Sequence, residues 1–211
     1  MLYHVTVKRR LGKIAKEGLN PLAEPVSSEY AKELVGYEEP DEDSLFYEDT
    51  FTDCSAEAET YLNEDLNRGD NVYFALSKRR AIELLSGFRD IPYENIIVEV
   101  NPEKIPCVCK VSDQSIADDI YEEYYHACMQ EITVDMEKIE ELVDKWDKSV
   151  RVYNPRKHDE YSEYDDEVWC PCRIPPDAIE KVYDTNGVEI CRRDKGTLKC
   201  DKRVVSETLI N

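Results

Sequence analysis

Apolar and polar positions alternate from residue 2 to residue 7, the period of a half-buried strand. From Lys8 to Glu17 the period lengthens, with Leu11, Ile14 and Ala15 on one helical face and Gly18 as a natural stop. Leu19-Asn20-Pro21 opens a long excursion, in which Ser27 or Ser28 can cap a short helix through Val35. An acidic loop follows, then a second short helix near Ala56 to Leu66. Arg68-Gly69-Asp70 turns into a strand from Val72 to Leu76, and Ser77 caps a helix from Lys78 to Leu85. Ile96 to Val100 and Ile105 to Val111 are the next strand candidates. Ser112 to Ser149 is helical in pattern, as two helices broken near Ile132-Thr133. In the second of these, Met136, Ile139, Leu142, Val143 and Trp146 form an apolar stripe suited to core packing, and Tyr121, Tyr124 and Tyr125 read the same way. Residues 153–166 are polar and tyrosine-rich, a loop. Beyond them the pattern predicts a strand from Val168 to Cys172, a turn at Ile174-Pro175-Pro176, a helical turn from Asp177 to Lys181, a short strand at Val182-Tyr183 and a terminal hairpin. Short strands separated by irregular helices predict an α+β fold rather than a doubly wound sheet.

A chain of 211 residues suits a single domain, 1–211, with 112–149 as a helical insert. No stretch approaches the roughly 20 apolar residues of a membrane span, and the chain begins directly in a strand. The expectation is a cytoplasmic protein, or one working in a host cytoplasm. The net charge of -20 opposes binding to nucleic acid. Lys8-Arg9-Arg10, Lys78-Arg79-Arg80 and Arg192-Arg193 are the local exceptions, and each reads first as solvated surface. The acidic run from Glu38 to Asp49 is where carboxylates would imitate a phosphate backbone.

The eight cysteines, with no export signal ahead of them, are expected as reduced thiols. Cys107/Cys109 and Cys170/Cys172 have the spacing Cys-x-Cys, which on a strand puts both sulfurs on one face. The four would meet if their strands are neighbours. With Lys195-Gly196 as a two-residue turn, Cys191 and Cys200 face each other across a hairpin. A structural zinc is conceivable on that geometry, but the spacing is narrower than that of ordinary zinc sites, and no metal is assigned. No Gly-x-Gly-x-x-Gly or phosphate-loop sequence occurs, which leaves a Rossmann dinucleotide site unsupported.

Three separated stretches carry the candidate chemistry. They are Tyr3-His4-Val5-Thr6 followed by Glu17-Gly18-Leu19-Asn20-Pro21, then Asp70 to Lys78 around Val72-Tyr73-Phe74-Ala75, then Asp166-Glu167-Val168-Trp169 leading to Ile174-Pro175-Pro176 and Ile179. In order and spacing they resemble the three motifs of the ADP-ribosyltransferase superfamily, in its His-Tyr-Glu branch. The second is similar to its form in poly-ADP-ribose polymerases, and the third to DNA-modifying ADP-ribosyltransferase toxins. The Ile-Pro-Pro ending also resembles the RNA 2′-phosphotransferases of the same fold. The resemblance implies a split mixed or antiparallel sheet core with helical insertions and a C-terminal hairpin. It also implies NAD as co-substrate, with His4, Tyr73 and Glu167 as the catalytic set.

Within that frame each residue has a physical task. Cleavage of the nicotinamide–ribose bond passes through an oxocarbenium-like state, which the Glu167 carboxylate would stabilise. Tyr73 would stack on the nicotinamide. His4 would bond ribose hydroxyls, the Val5 main chain would satisfy the nicotinamide amide, and Thr6 would add a hydroxyl. The helix start near Lys8, with Arg9 or Arg10, would hold the pyrophosphate.

The chain also departs from the family pattern. Ile82 stands near the place of a second tyrosine, Asp165 replaces the Glu or Gln of arginine-targeting relatives, and Val5 stands where many have glycine. The function expected is mono-ADP-ribosylation of a macromolecular acceptor, protein rather than nucleic acid. Two alternatives accompany it: a non-catalytic module binding NAD or ADP-ribose, and an acidic protein antagonising an NAD-dependent or nucleic-acid-binding partner.

Overall fold

The computed structural model describes residues 1–21, 54, 57–58, 60–62, 64–66, 71–87 and 95–201. The expected cap at Ser27 or Ser28 and the acidic run from Glu38 to Asp49 lie outside the described residues. Two compact units emerge, one from residues 1–21, 71–111 and 151–211, the other from 22–70 and 112–150. The fold is α+β, with both sheets antiparallel. Among the described residues no helix is long and apolar enough to cross a membrane.

In the first unit, β1 (Leu2–Val7), β3 (Asn95–Val100), β7 (Ile179–Tyr183), β8 (Glu189–Asp194) and β9 (Thr197–Cys200) form a five-stranded sheet in that order. A four-stranded sheet runs β2 (Val72–Phe74), β6 (Asp166–Cys170), β4 (Lys110–Asp113), β5 (Arg151–Val152). Alternation along the strands builds the core. Leu2, Ile96, Val98, Val100 and Val182 from the first sheet cluster with Val72, Phe74, Val111 and Val168 from the second. Full burial of each such aliphatic side chain contributes about 1.5–3 kcal/mol, which fixes the register of both ladders, since a one-residue slip would turn every one of them outward. The opposite face of the larger sheet packs Tyr3, Val5, Ile97 and Tyr183 with Ala81 and Leu85 of α2 (Lys78–Gly87). Helix α1 (Leu11–Glu17) buries Leu11 and Ile14.

Three local expectations give way to tertiary context. Residues 105–109 are not a strand; pairing starts only at Lys110. The helical turn expected from Asp177 to Lys181 stops at Ala178. A 3-10 turn at Pro176–Ala178 leads straight into β7, because Ile179 and Lys181 are taken up as partners of Val100 and Glu99. The expectation of reduced thiols is also overturned. All eight cysteines are paired, as Cys54–Cys128, Cys107–Cys172, Cys109–Cys170 and Cys191–Cys200. The Cys-x-Cys segments do meet, but as two adjacent disulfides. Cys191 and Cys200 are register partners across a hairpin whose turn residues, Lys195 and Gly196, both have positive φ (49° and 86°), the geometry that matches the twist of the flanking strands.

In the second unit, α3 (Gln114–Met129) and α4 (Met136–Ser149) pack together. Asp113 and Asp135 cap them through Ser115 N–H and Lys138 N–H. Ile139, Leu142 and Trp146 are buried as the stripe predicts. Met136 is 52% exposed, since it stands in the first turn of α4. Tyr124 is buried and donates to Asp65 at 2.7 Å, while Tyr121 and Tyr125, half-buried, stack on each other. The disulfide Cys54–Cys128 closes this unit.

Gly18 ends α1 with φ 80° and ψ -161°, and a Cβ there would lie 1.9 Å from the Ile174 carbonyl oxygen. Leu19 and Ile174 exchange backbone hydrogen bonds beside it, so the close approach is built into the pairing. Gly18→Ala is expected to destabilise the fold by about 2–4 kcal/mol. Gly12→Ala, in open space on α1, should be neutral or stabilising by up to about 1 kcal/mol. Paired urea denaturation curves measure both.

Candidate functional site

The segments carrying His4, Tyr73 and Glu167 are gathered onto three strands of the first unit that lie side by side. Tyr3 and Ala75 exchange two backbone hydrogen bonds, Tyr3 N–H to the Ala75 carbonyl (3.0 Å) and Ala75 N–H to the Tyr3 carbonyl (2.8 Å). This isolated bridge ties β1 of one sheet to the end of β2 in the other. One residue further along β1, the His4 side chain takes over: its Nδ1–H donates to the Tyr73 carbonyl at 2.9 Å. A carbonyl only accepts, so the proton is on Nδ1, and Nε2 is the acceptor of the neutral ring. The ring also packs edge-on against Phe74, centroids 5.9 Å apart.

Tyr73 is the register partner of Trp169, and Phe74 of Val168. Glu167 stands two residues before Trp169 on β6, so by alternation it shares the pleat of Trp169 and of its partner Tyr73. His4 belongs to the other pleat, with Phe74 and Val168. The trio is thus contiguous through the backbone, but its side chains divide two and one about the ladder.

The remaining assigned positions are equally definite. Val5 packs with Tyr3 against Ile97 and Tyr183. Thr6 is half-buried opposite Ile96. Lys8–Arg10 forms a 3-10 turn directly after β1. Arg10 is close enough to oppose protonation of His4, whose pKa is held below its ordinary value first by burial; the Tyr73 carbonyl pulls the other way. Ile82, in place of a second tyrosine, packs against the cluster around Ala75 and Tyr183.

Several participants carry no local sequence signal because their partners are distant in the chain. Glu163 bonds Ser77, the cap of α2, and pairs with Arg79, which together hold its carboxyl below the usual range. Tyr164 lies under the Arg79 and Arg80 guanidiniums, 5.0 and 6.0 Å from its ring. The stretch 153–166 is therefore anchored onto the helix that follows Tyr73, although its composition alone reads as loop. Beside His4, Tyr3 and Tyr183 both bond the buried carboxylate of Glu99, Tyr183 at 2.5 Å, with the Lys181 ammonium 3.8 Å away. Burial and Glu99 push the Tyr3 hydroxyl up to about 12. Trp169, buried, has the Lys110 ammonium 4.8 Å over its ring. Among the described residues no group of three His, Cys, Asp or Glu side chains could hold a metal ion.

His158 is the second histidine tied to this region. It bonds the Leu76 carbonyl, and its Nδ1 accepts from the Tyr153 hydroxyl at 2.8 Å. Burial, then the N-terminal charge, hold its pKa below the ordinary value. For both His4 and His158 the folded state prefers the neutral ring, so the unfolded chain binds more protons near pH 6. Their contribution is full above the unfolded value of about 6.5 and is lost as pH falls through the lower folded values. The thermal midpoint should fall between pH 7.5 and 5, and His158→Gln should flatten that slope. Calorimetric scans across the range measure it, and an unchanged slope in the variant would remove His158 from the account.

No protein-family model matches this sequence, and no curated protein shows significant similarity to it.

Proposed function

We propose that the first unit is an ADP-ribosyltransferase-like domain that takes NAD as co-substrate and transfers ADP-ribose to a macromolecular acceptor. The observation that carries the reading is the junction of β1, β2 and β6, where His4 bonds the Tyr73 carbonyl and Glu167 lies on the same pleat as Tyr73. Two antiparallel sheets joined at the Tyr3–Ala75 bridge also suit the split-sheet core of that family.

On this reading the Tyr73 ring holds the nicotinamide as leaving group, and the Glu167 carboxylate faces the anomeric carbon as positive charge develops there. With Nδ1–H committed to Tyr73, Nε2 of His4 accepts from a ribose hydroxyl, which requires the neutral ring that burial and Arg10 already favour. Arg10, at the turn after β1, supplies positive charge for the pyrophosphate. A net charge of -20 favours a protein acceptor over nucleic acid. Four disulfides favour an oxidising compartment over the cytoplasm expected from the sequence.

A second reading has one specific observation in its favour. His4 packs on Phe74, across the pleat from Tyr73 and Glu167, an arrangement that suits holding NAD or ADP-ribose without turnover.

Incubation with labelled NAD and cell lysate separates the two. The wild type should label acceptors, and Glu167→Gln should lower the rate by about a hundredfold or more while leaving NAD affinity within a few-fold. Equal labelling by both proteins would end the transferase proposal. Calorimetric binding of NAD and ADP-ribose with no nicotinamide released would establish the binding module instead.

A further inference from the structure

The four disulfides are not equally protected. Three contain at least one buried cysteine: Cys54 in the first, Cys191 in the second, and both Cys109 and Cys170 in the third. In Cys107–Cys172 neither residue is buried. Its surroundings are open as well, with Pro106, Pro171 and Arg173 exposed and Val108 63% exposed. This disulfide lies two residues outward from the buried Cys109–Cys170 on both of the segments it joins. The pair therefore forms an outer and an inner staple between residues 107–109 and the end of β6.

We propose that Cys107–Cys172 is a thiol–disulfide exchange site, open to a dithiol reductant while the fold stays intact, with Cys109–Cys170 as the protected partner that keeps β6 in place. Exchange requires a thiolate to reach one of the two sulfurs; both cysteines of the outer staple are partly exposed, although Cys107 packs on the edge of the core, whereas both of the inner one are buried. A deprotonated thiol of the reductant attacks Cys107 or Cys172, and the bond between them breaks. The displaced sulfur leaves as a thiolate and takes a proton from water. The second thiol of the reductant, once deprotonated, attacks the mixed disulfide, releasing the other cysteine and closing the reductant into its own disulfide. Two electrons pass to the protein, and the dithiol is oxidised by two. The inner staple then still joins the 107–109 segment to β6, so the change is confined to Cys107, Val108, Pro171, Cys172 and their neighbours. The site is independent of the NAD reading, because it rests on exposure and connectivity alone.

The test is graded reduction of the full chain with dithiothreitol, quenched with an alkylating agent and read by peptide mapping, with circular dichroism followed in parallel. Cys107 and Cys172 should be labelled first, about tenfold ahead of the other six, while the spectrum is unchanged. Cys109 and Cys170 should be labelled only when denaturant is present. A Cys107→Ser/Cys172→Ser double variant should lose the early two-thiol step and keep the others. First labelling at Cys54/Cys128 or Cys191/Cys200 would overturn the proposal. So would opening of all eight cysteines in one step with unfolding, or survival of the early step in the double variant. Should that variant fail to fold, the wild-type labelling order decides alone.

Discussion

Two hydrogen bonds between Tyr3 and Ala75 join the sheets of the first unit, and everything assigned to the site is arranged around them. A full ladder at this seam would have left no room for side chains between β1 and β2. Instead the backbone pairing stops after one bridge, and the next carbonyl, that of Tyr73, is satisfied by the His4 imidazole. A fully buried carbonyl without a partner costs roughly 1–3 kcal/mol, and this one is partly buried, so His4 closes the seam as well as standing at the candidate site. On the proposed function, its structural duty and its chemistry are bound to the same tautomer.

Charge around the seam is ordered by burial. Glu99 keeps its carboxylate in the interior because Tyr183 and Tyr3 donate to it and Lys181 stands close; an unpaired carboxylate there would be strongly unfavourable. Glu163 is tethered to the cap of α2, and Tyr164 is held by two arginines. In a chain with a charge of -20, the basic residues Lys78, Arg79 and Arg80 are thus engaged with tyrosines, a carbonyl or a carboxylate. The disulfides do comparable work at the ends of the strands. Two of them hold the end of β6 just beyond Trp169, and a third fastens β8 to β9.

The elements most legible in the sequence were those with strong local signals. The alternation of residues 2–7, Gly18 after α1, Ser77 before α2 and the Lys195-Gly196 turn each act within a few residues of themselves. Segments 105–109 and 179–181 differ from their local pattern because strand propensity and helical spacing are weak against the ladder that captures Ile179 and leaves residues 105–109 outside both sheets. The state of the cysteines was misread for a different reason. Spacing shows which thiols can meet, but whether they oxidise depends on the redox compartment, which spacing does not encode.

For the site, the sequence by itself determined which residue types were present and that each of the three sat in an apolar, strand-like setting. It also determined that they recurred in a familiar order. Only the tertiary structure decided that β1, β2 and β6 are neighbours, that His4 is tied to the Tyr73 carbonyl, and on which pleat each side chain stands. The physical reason is range. Periodicity, caps and turns are set by contacts a few residues apart, whereas His4 and Tyr73 are 69 residues apart and meet only once a common core has paid the entropy of closing the loop between them.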